Sequence, residues 1–169
     1  MTAEYKSEKN LQGAFAGESQ ANRKYLFFAE KAEKEGQSQI ARLFRAAADA
    51  ETVHAKNHLN ALDAIGSTES NVMAAAAGEH FEFTRMYPPY IETAEQEKNK
   101  KAQRSFELAN DVEQIHHKYF EAALKSLKEG KKLKEEPYYV CQVCGNTITG
   151  TPPDVCPICG TRHQWKKID

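Results

Sequence analysis

Four cysteines and a repeated Glu-x-x-His triplet carry the chemistry legible in this sequence. All four cysteines fall within 19 positions, as Cys141-x-x-Cys144, eleven intervening residues, and Cys156-x-x-Cys159. A two-residue gap lets both thiolates of one tight turn reach one ion. Gly145 and Gly160 follow directly, where a backbone without a Cβ eases the turn. This spacing predicts a tetrahedral four-thiolate metal site rather than disulfides. Zinc ribbons and single-iron electron carriers share that ligand set, so spacing alone leaves the metal open.

The second constellation is made of carboxylates and imidazoles. Glu51-Thr-Val-His54 and Glu113-Gln-Ile-His116 each put an acid and a histidine three residues apart, on one face of a helix. Glu79 and Glu82 share that spacing, and Glu18 precedes Glu51 by 33 residues. Each group interrupts an otherwise apolar stripe of helical period, such as Ile40, Phe44, Ala47, Glu51, His54, His58, Leu62 and Ile65. Five carboxylates converging in one core would cost many kcal/mol unless cations neutralised them. One Glu from each of two helices and Glu-x-x-His from two others is the ligand set of ferritin-like di-iron and di-manganese bundles. Its oxygen-rich donors suit iron or manganese better than zinc.

The elements that must position these residues read as helices: A at about 4–34, B at 38–65, C at about 71–97 and D at 100–129. Ala, Glu, Lys, Gln and Leu dominate them, and Gly36 and Gly66 close A and B. Pro88-Pro89 is expected to kink helix C. Ala16-Gly17-Glu18 recurs as Ala77-Gly78-Glu79, so the chain reads as two copies of a helical hairpin. The expected organisation is a ferritin-like four-helix bundle over 1–130, a charged linker over 131–136 and a four-cysteine metal module over 137–169. The fold class is mainly α.

Composition excludes several functions. Net charge is −1, with no basic arm in either part, which argues against a partner recognised by bulk charge, nucleic acid and membrane surfaces included. No apolar run approaches a membrane span and no signal-peptide core is visible, so a cytoplasmic location is expected.

The chain resembles the rubrerythrin family over essentially its whole length. The residues that carry the likeness are Gly17-Glu18-Ser19, Glu51-Thr-Val-His54, Gly78-Glu-His-Phe-Glu82 with Met86-Tyr87-Pro88, Glu113-Gln-Ile-His116 and the two Cys-x-x-Cys-Gly turns. The proline of Cys156-Pro157-Ile-Cys159 is similar to that of rubredoxin-like modules, although the eleven-residue loop is shorter than in free-standing rubredoxins. The resemblance implies a non-haem di-iron peroxidase that reduces hydrogen peroxide to water in oxidative-stress defence. It implies di-iron ligation by Glu18, Glu51, His54, Glu79, Glu82, Glu113 and His116, with Glu51 and Glu113 as bridges. One iron would trade a helix C glutamate for His54 as its oxidation state changes. Cys141, Cys144, Cys156 and Cys159 would hold a single iron, with zinc as a substitute, that reloads the pair from an external redox protein or reductase.

Around these ligands, Tyr25 and Tyr87 are expected to steady a carboxylate by hydrogen bonding. His58 reads as a histidine of the core or one that supports a ligand rather than a ligand itself, His80, His117 and His163 as solvated or structural, and Trp165 as packing. Two rival functions stand beside the peroxidase. A ferritin-type ferrous iron oxidase has no need of an attached electron carrier, and a zinc ribbon on a scaffold bundle leaves the core carboxylates unexplained.

Chain length also predicts association. Helix B runs roughly 21 Å past Glu51, and a ferritin-like order makes the connection return over roughly 33 Å. Residues 66–71 span at most about 22 Å, a shortfall unless part of 72–77 is not helical. A homodimer or higher homo-oligomer is expected, with helices A and B able to pair with C and D of another chain.

Overall fold

A computed structural model describes residues 6–168. Its helices are α1 (Lys6–Lys34), α2 (Ser38–Ala61), α3 (Thr68–Phe81), α4 (Tyr87–Gln96) and α5 (Lys100–Lys128), with a π-helical turn, Glu82–Met86, joining α3 to α4. The strands are β1 (Tyr138–Cys141), β2 (Thr147–Thr149) and β3 (Trp165–Ile168). They form one antiparallel sheet in the order β2-β1-β3. The expected start of helix A near residue 4 lies outside the described residues. Among the described residues no helix is long and apolar enough to cross a membrane. The chain divides at Gly66–Ser67 into two compact units.

The first unit is the α1–α2 hairpin. Gly36, at φ +74°, makes the left-handed turn after α1, and the Gln37 N–H closes it on the Ala32 carbonyl at 2.9 Å. Ala29, Ala32, Ala41 and Ala48 are buried, and side chains this small let two helices approach closely. Asn22 crosses the interface, its Nδ2 donating to the Ala48 carbonyl at 2.7 Å and to Thr52 Oγ1 at 2.9 Å.

In the second unit the rod of α3, π turn and α4 packs on α5, and α5 meets the sheet at β2. Ser67 and Asn99 cap α3 and α5, each side-chain oxygen accepting the N–H three residues on, from Ser70 and Ala102. Val112 of α5 is 2% exposed, next to Gly145 in the first cysteine turn. Trp165 Nε1 donates to the Pro153 carbonyl at 2.8 Å, a packing role.

Two boundaries differ from the sequence reading. Helix α2 stops at Ala61 rather than 65, because Asp63 takes the left-handed conformation (φ 50°) and Ala64 N–H bonds the Leu59 carbonyl. Asp tolerates that conformation better than most residues, so the stop precedes the glycine. Helix C is not one regular α-helix but α3, a π turn and α4. Pro88 and Pro89 lie in the first turn of α4, and the wider π turn before them carries the chain through, with Tyr87 N–H bonded to the Glu82 carbonyl. Residues 72–77 are helical, within α3.

Candidate metal centres

The four cysteines meet at one end of the sheet. Cys141 closes β1, and both turns have the same build. Gly145 N–H donates to the Cys141 carbonyl and Gly160 N–H to the Cys156 carbonyl, each at 2.9 Å, with the glycines at φ +82° and +75°. Cys141 and Cys156 are buried, and all four sulfurs lie within 4.8 Å of one another. The Cys141–Cys159 and Cys144–Cys156 Sγ separations are 3.7 and 3.6 Å. Both match the edge of about 3.75 Å of a tetrahedron with metal–sulfur bonds of about 2.3 Å, and neither is a disulfide.

Their acidities are split. Burial pushes the Cys144 thiol up. At Cys159 burial also opposes ionisation, but the Thr161 hydroxyl and backbone outweigh it and draw the thiol down to about 6. Asn146, 1% exposed, donates from Nδ2 to Cys156 Sγ at 3.6 Å. This geometry and donor set fit a thiophilic ion such as iron or zinc.

Six of the predicted bundle ligands fall into two sets. In the first unit Glu18 of α1 and Glu51 and His54 of α2 bring their ligand atoms within 4.8 Å. His54 Nδ1 lies 2.8 Å from Glu51 Oε2, as the three-residue spacing requires. Tyr25 packs among Phe28 and Phe44, and among the described residues its phenol bonds no carboxylate.

In the second unit Glu79 of α3 and Glu113 and His116 of α5 form the equivalent cluster, with His116 Nδ1 again 2.8 Å from Glu113 Oε2. Here the carboxylates visibly compete. Burial, together with the hydrogen bond and negative charge of Glu113, raises Glu79 to about 7. Burial works against ionisation of Glu113 too, but the hydrogen bonds from His116 and Glu79 hold it below the usual carboxylate range. The Glu113 hydrogen bond raises His116 against its partial burial. Glu82 lies outside the tight cluster, at the start of the π turn. Burial first and the Glu113 charge second push it up.

The Tyr87 phenol is raised by burial and then by Glu82, Glu113 and Glu79, which places it in the field of these acids. An acid driven to share a proton is a site that a cation would relieve. Each cluster offers two carboxylates and one imidazole, a donor set that fits iron or manganese. A cavity of about 440 Å³ opens beside Glu79 and His116, bounded also by Tyr119, Leu133 and Thr147.

His117 has a structural part, its Nδ1 donating to the Ala76 carbonyl at 2.9 Å. Three residues around these centres went unread in the sequence: Asn146, Thr161 and Thr147. The last places its Oγ1 2.9 Å from His116 Nε2. Polar residues just past each cysteine turn are the only sequence signal they give.

Comparison with known proteins agrees with this construction. The family model described as Rubrerythrin matches residues 9–124, and that of the rubrerythrin rubredoxin-like domain matches residues 139–164. Rubrerythrin-2 of Clostridium acetobutylicum is 39% identical, over 97% of this chain and 94% of that protein. The rubrerythrin of Porphyromonas gingivalis is 41% identical, over 91% and 85%. Among solved structures, fully reduced, all-ferrous nigerythrin aligns with a TM-score of 0.58 at 30% identity, covering 99% of this chain and 92% of that one.

Proposed function

The chain belongs to the rubrerythrin family, and on that premise we propose that it is a cytoplasmic peroxidase that reduces hydrogen peroxide to water through a di-iron centre. When bound, the ferrous pair would supply the two electrons that cleave the O–O bond, and the cysteine-held iron would replace them one at a time from an external donor. The carboxylates would hold the ions and offset the charge gained on oxidation. In this reading Glu51 and Glu113, each three residues before a histidine, would be the bridging ligands, with Glu18, Glu79 and Glu82 as terminal ones. The imidazoles of His54 and His116 complete the set. The observation that carries this reading is the pairing, in one chain, of two matching Glu and Glu-x-x-His clusters with a tetrahedral four-thiol site.

Metal content and a pair of variants test it. The expected protein is red and holds three irons per chain. Colourless protein with one zinc and no iron, made with ample iron, would remove the electron-transfer half. Pre-reduced Cys144→Ser should consume about one peroxide per di-iron pair and then stop, since two ferrous ions hold two electrons. Pre-reduced Glu113→Ala should consume none rapidly. Steady turnover of Cys144→Ser at the parent rate with a protein donor would refute the cysteine module as the electron entry.

The active form, in this reading, is a homo-oligomer in which α1 and α2 of one copy complete the site of α3–α5 in another. Chain length supports it. From Glu51 to the end of α2 is about 15 Å and from the start of α3 to Glu79 about 16 Å. A ferritin-like return would cover the sum of about 31 Å, whereas residues 62–67 bridge at most about 22 Å. Exposed Phe27, Leu43 and Val53 on the hairpin are apolar surface suited to such a partner.

A further inference from the structure

His54 and His116 hold equivalent places in the two triplets, each with Nδ1 2.8 Å from its glutamate. They differ on the far side of the ring. His116 Nε2 lies 2.9 Å from Thr147 Oγ1 on β2, 31 residues away in sequence. Among the described residues nothing hydrogen-bonds Nε2 of His54. Its side chain is 54% exposed, against 28% for His116.

The hydroxyl has a second partner, which allows it to act as an acceptor in that contact. A threonine has one O–H to give. The Gly145 carbonyl, at 3.1 Å, is placed to receive it, which leaves the lone pairs to face His116. In the metal-free site Nδ1 hydrogen-bonds Glu113; once an ion takes the place of that hydrogen, a neutral imidazole carries its one hydrogen on Nε2, toward Thr147. We propose that Thr147 is a positioning residue of the bundle metal centre: its hydroxyl accepts the Nε2–H of His116 and presents the Nδ1 lone pair to an ion held with Glu79 and Glu113. The proposal rests on His116 being a metal ligand.

The contact also ties one centre to the other. Gly145, which receives the Thr147 hydroxyl, is the residue after Cys144, and its N–H closes the first cysteine turn. Thr147 itself pairs with Val140 on β1, one residue before Cys141. The acceptor that orients His116 is thus fixed by the folding of the cysteine turn. His54 has no counterpart to this clamp among the described residues.

Cobalt(II)-loaded full-length protein, followed by proton NMR in water, tests this without activity. A histidine bound to cobalt shows a strongly shifted ring N–H, and thiolates contribute none. Wild type should show one such N–H that exchanges slowly with solvent and is lost in His116→Ala. In Thr147→Val, which keeps the shape and removes the acceptor, this proton should exchange at least about tenfold faster, and cobalt affinity at the bundle should fall about tenfold. Thr147→Ser should restore both. The cobalt–thiolate band reports that the cysteine module is folded, and Thr147→Ala supplies the same comparison should valine disturb β2. A slow N–H and unchanged affinity in both the valine and alanine variants would overturn the positioning role while leaving His116 a ligand. Absence from wild type of any shifted N–H that His116→Ala removes would overturn the ligand reading, and the proposal with it.

Discussion

The α1–α2 hairpin and the α3–α5 unit carry the same triplet, yet they surround it differently. In the hairpin, Glu51 is as covered as its counterpart, but His54 stands exposed, and Glu18 is the third member of the cluster. In the second unit Glu113 and His116 are half-buried beside two acids, a phenol and the hydroxyl of Thr147. Repetition of a motif therefore does not repeat its environment. Ligand identity is local, but rigidity and proton affinity come from what packs against the ligand. A clamped histidine beside crowded acids suits a fixed ligand. An unclamped one suits the exchange that the family resemblance gives to His54.

The largest expected effect asks whether the two clusters of a working site come from different chains. Glu51→Ala and Glu113→Ala should each abolish rapid peroxide consumption alone. Co-expressed, they should recover about a quarter of the wild-type rate, because half of randomly paired dimers would contain one intact site out of two. No recovery, with mixed dimers demonstrated by mass spectrometry, would break the exchange and leave each chain with its own site. A concentration-independent monomer in light scattering would break association altogether.

A smaller effect measures the asymmetry directly. His116→Ala should weaken cobalt binding about tenfold more than His54→Ala, since it removes a ligand already held in place. Equal losses in titrations of the two variants would erase the contrast drawn above.

Acidity gives a third test. In the metal-free protein the folded value for Glu79, about 7, lies above the ordinary 4.5. The unfolded chain therefore loses this proton first as pH rises, and the contribution of Glu79 to stability falls between those values. Metal uptake must expel the same proton below about pH 7. Proton release on binding, read by calorimetry in buffers of different ionisation heat, should be greater at pH 6 than at pH 8. Glu79→Gln should reduce the difference, the remainder coming from Glu82 and His116. The smallest effect belongs to the rod that carries Glu79 and Glu82: Pro88→Ala should change stability by less than about 1 kcal/mol in denaturant melts, because the first turn of a helix does not need that N–H.

Much of the site was legible in the sequence because its ligands sit at local spacings. Cys-x-x-Cys-Gly, Glu51 with His54 and Glu113 with His116 all lie within one turn of backbone, and the structure brings each group together. Helices α1 and α5 followed from propensity, with Gly36 marking the end of the first. The end of α2 was misplaced because a left-handed aspartate, Asp63, stops the helix before the expected glycine. The π turn was not foreseen because its signal, a proline pair, reads equally well as a kink.

The sequence by itself determined which atoms could bind metal, how many helices present them and where the cysteine module begins its turns, since these depend on residue type and short-range geometry. Only the tertiary structure decided that the Glu and His ligands gather as two sets in two compact units, that Glu79 and Glu113 contest a proton, and that Thr147 reaches His116. Those outcomes depend on distances between residues tens of positions apart, which are set by packing and carry no local signature in the chain.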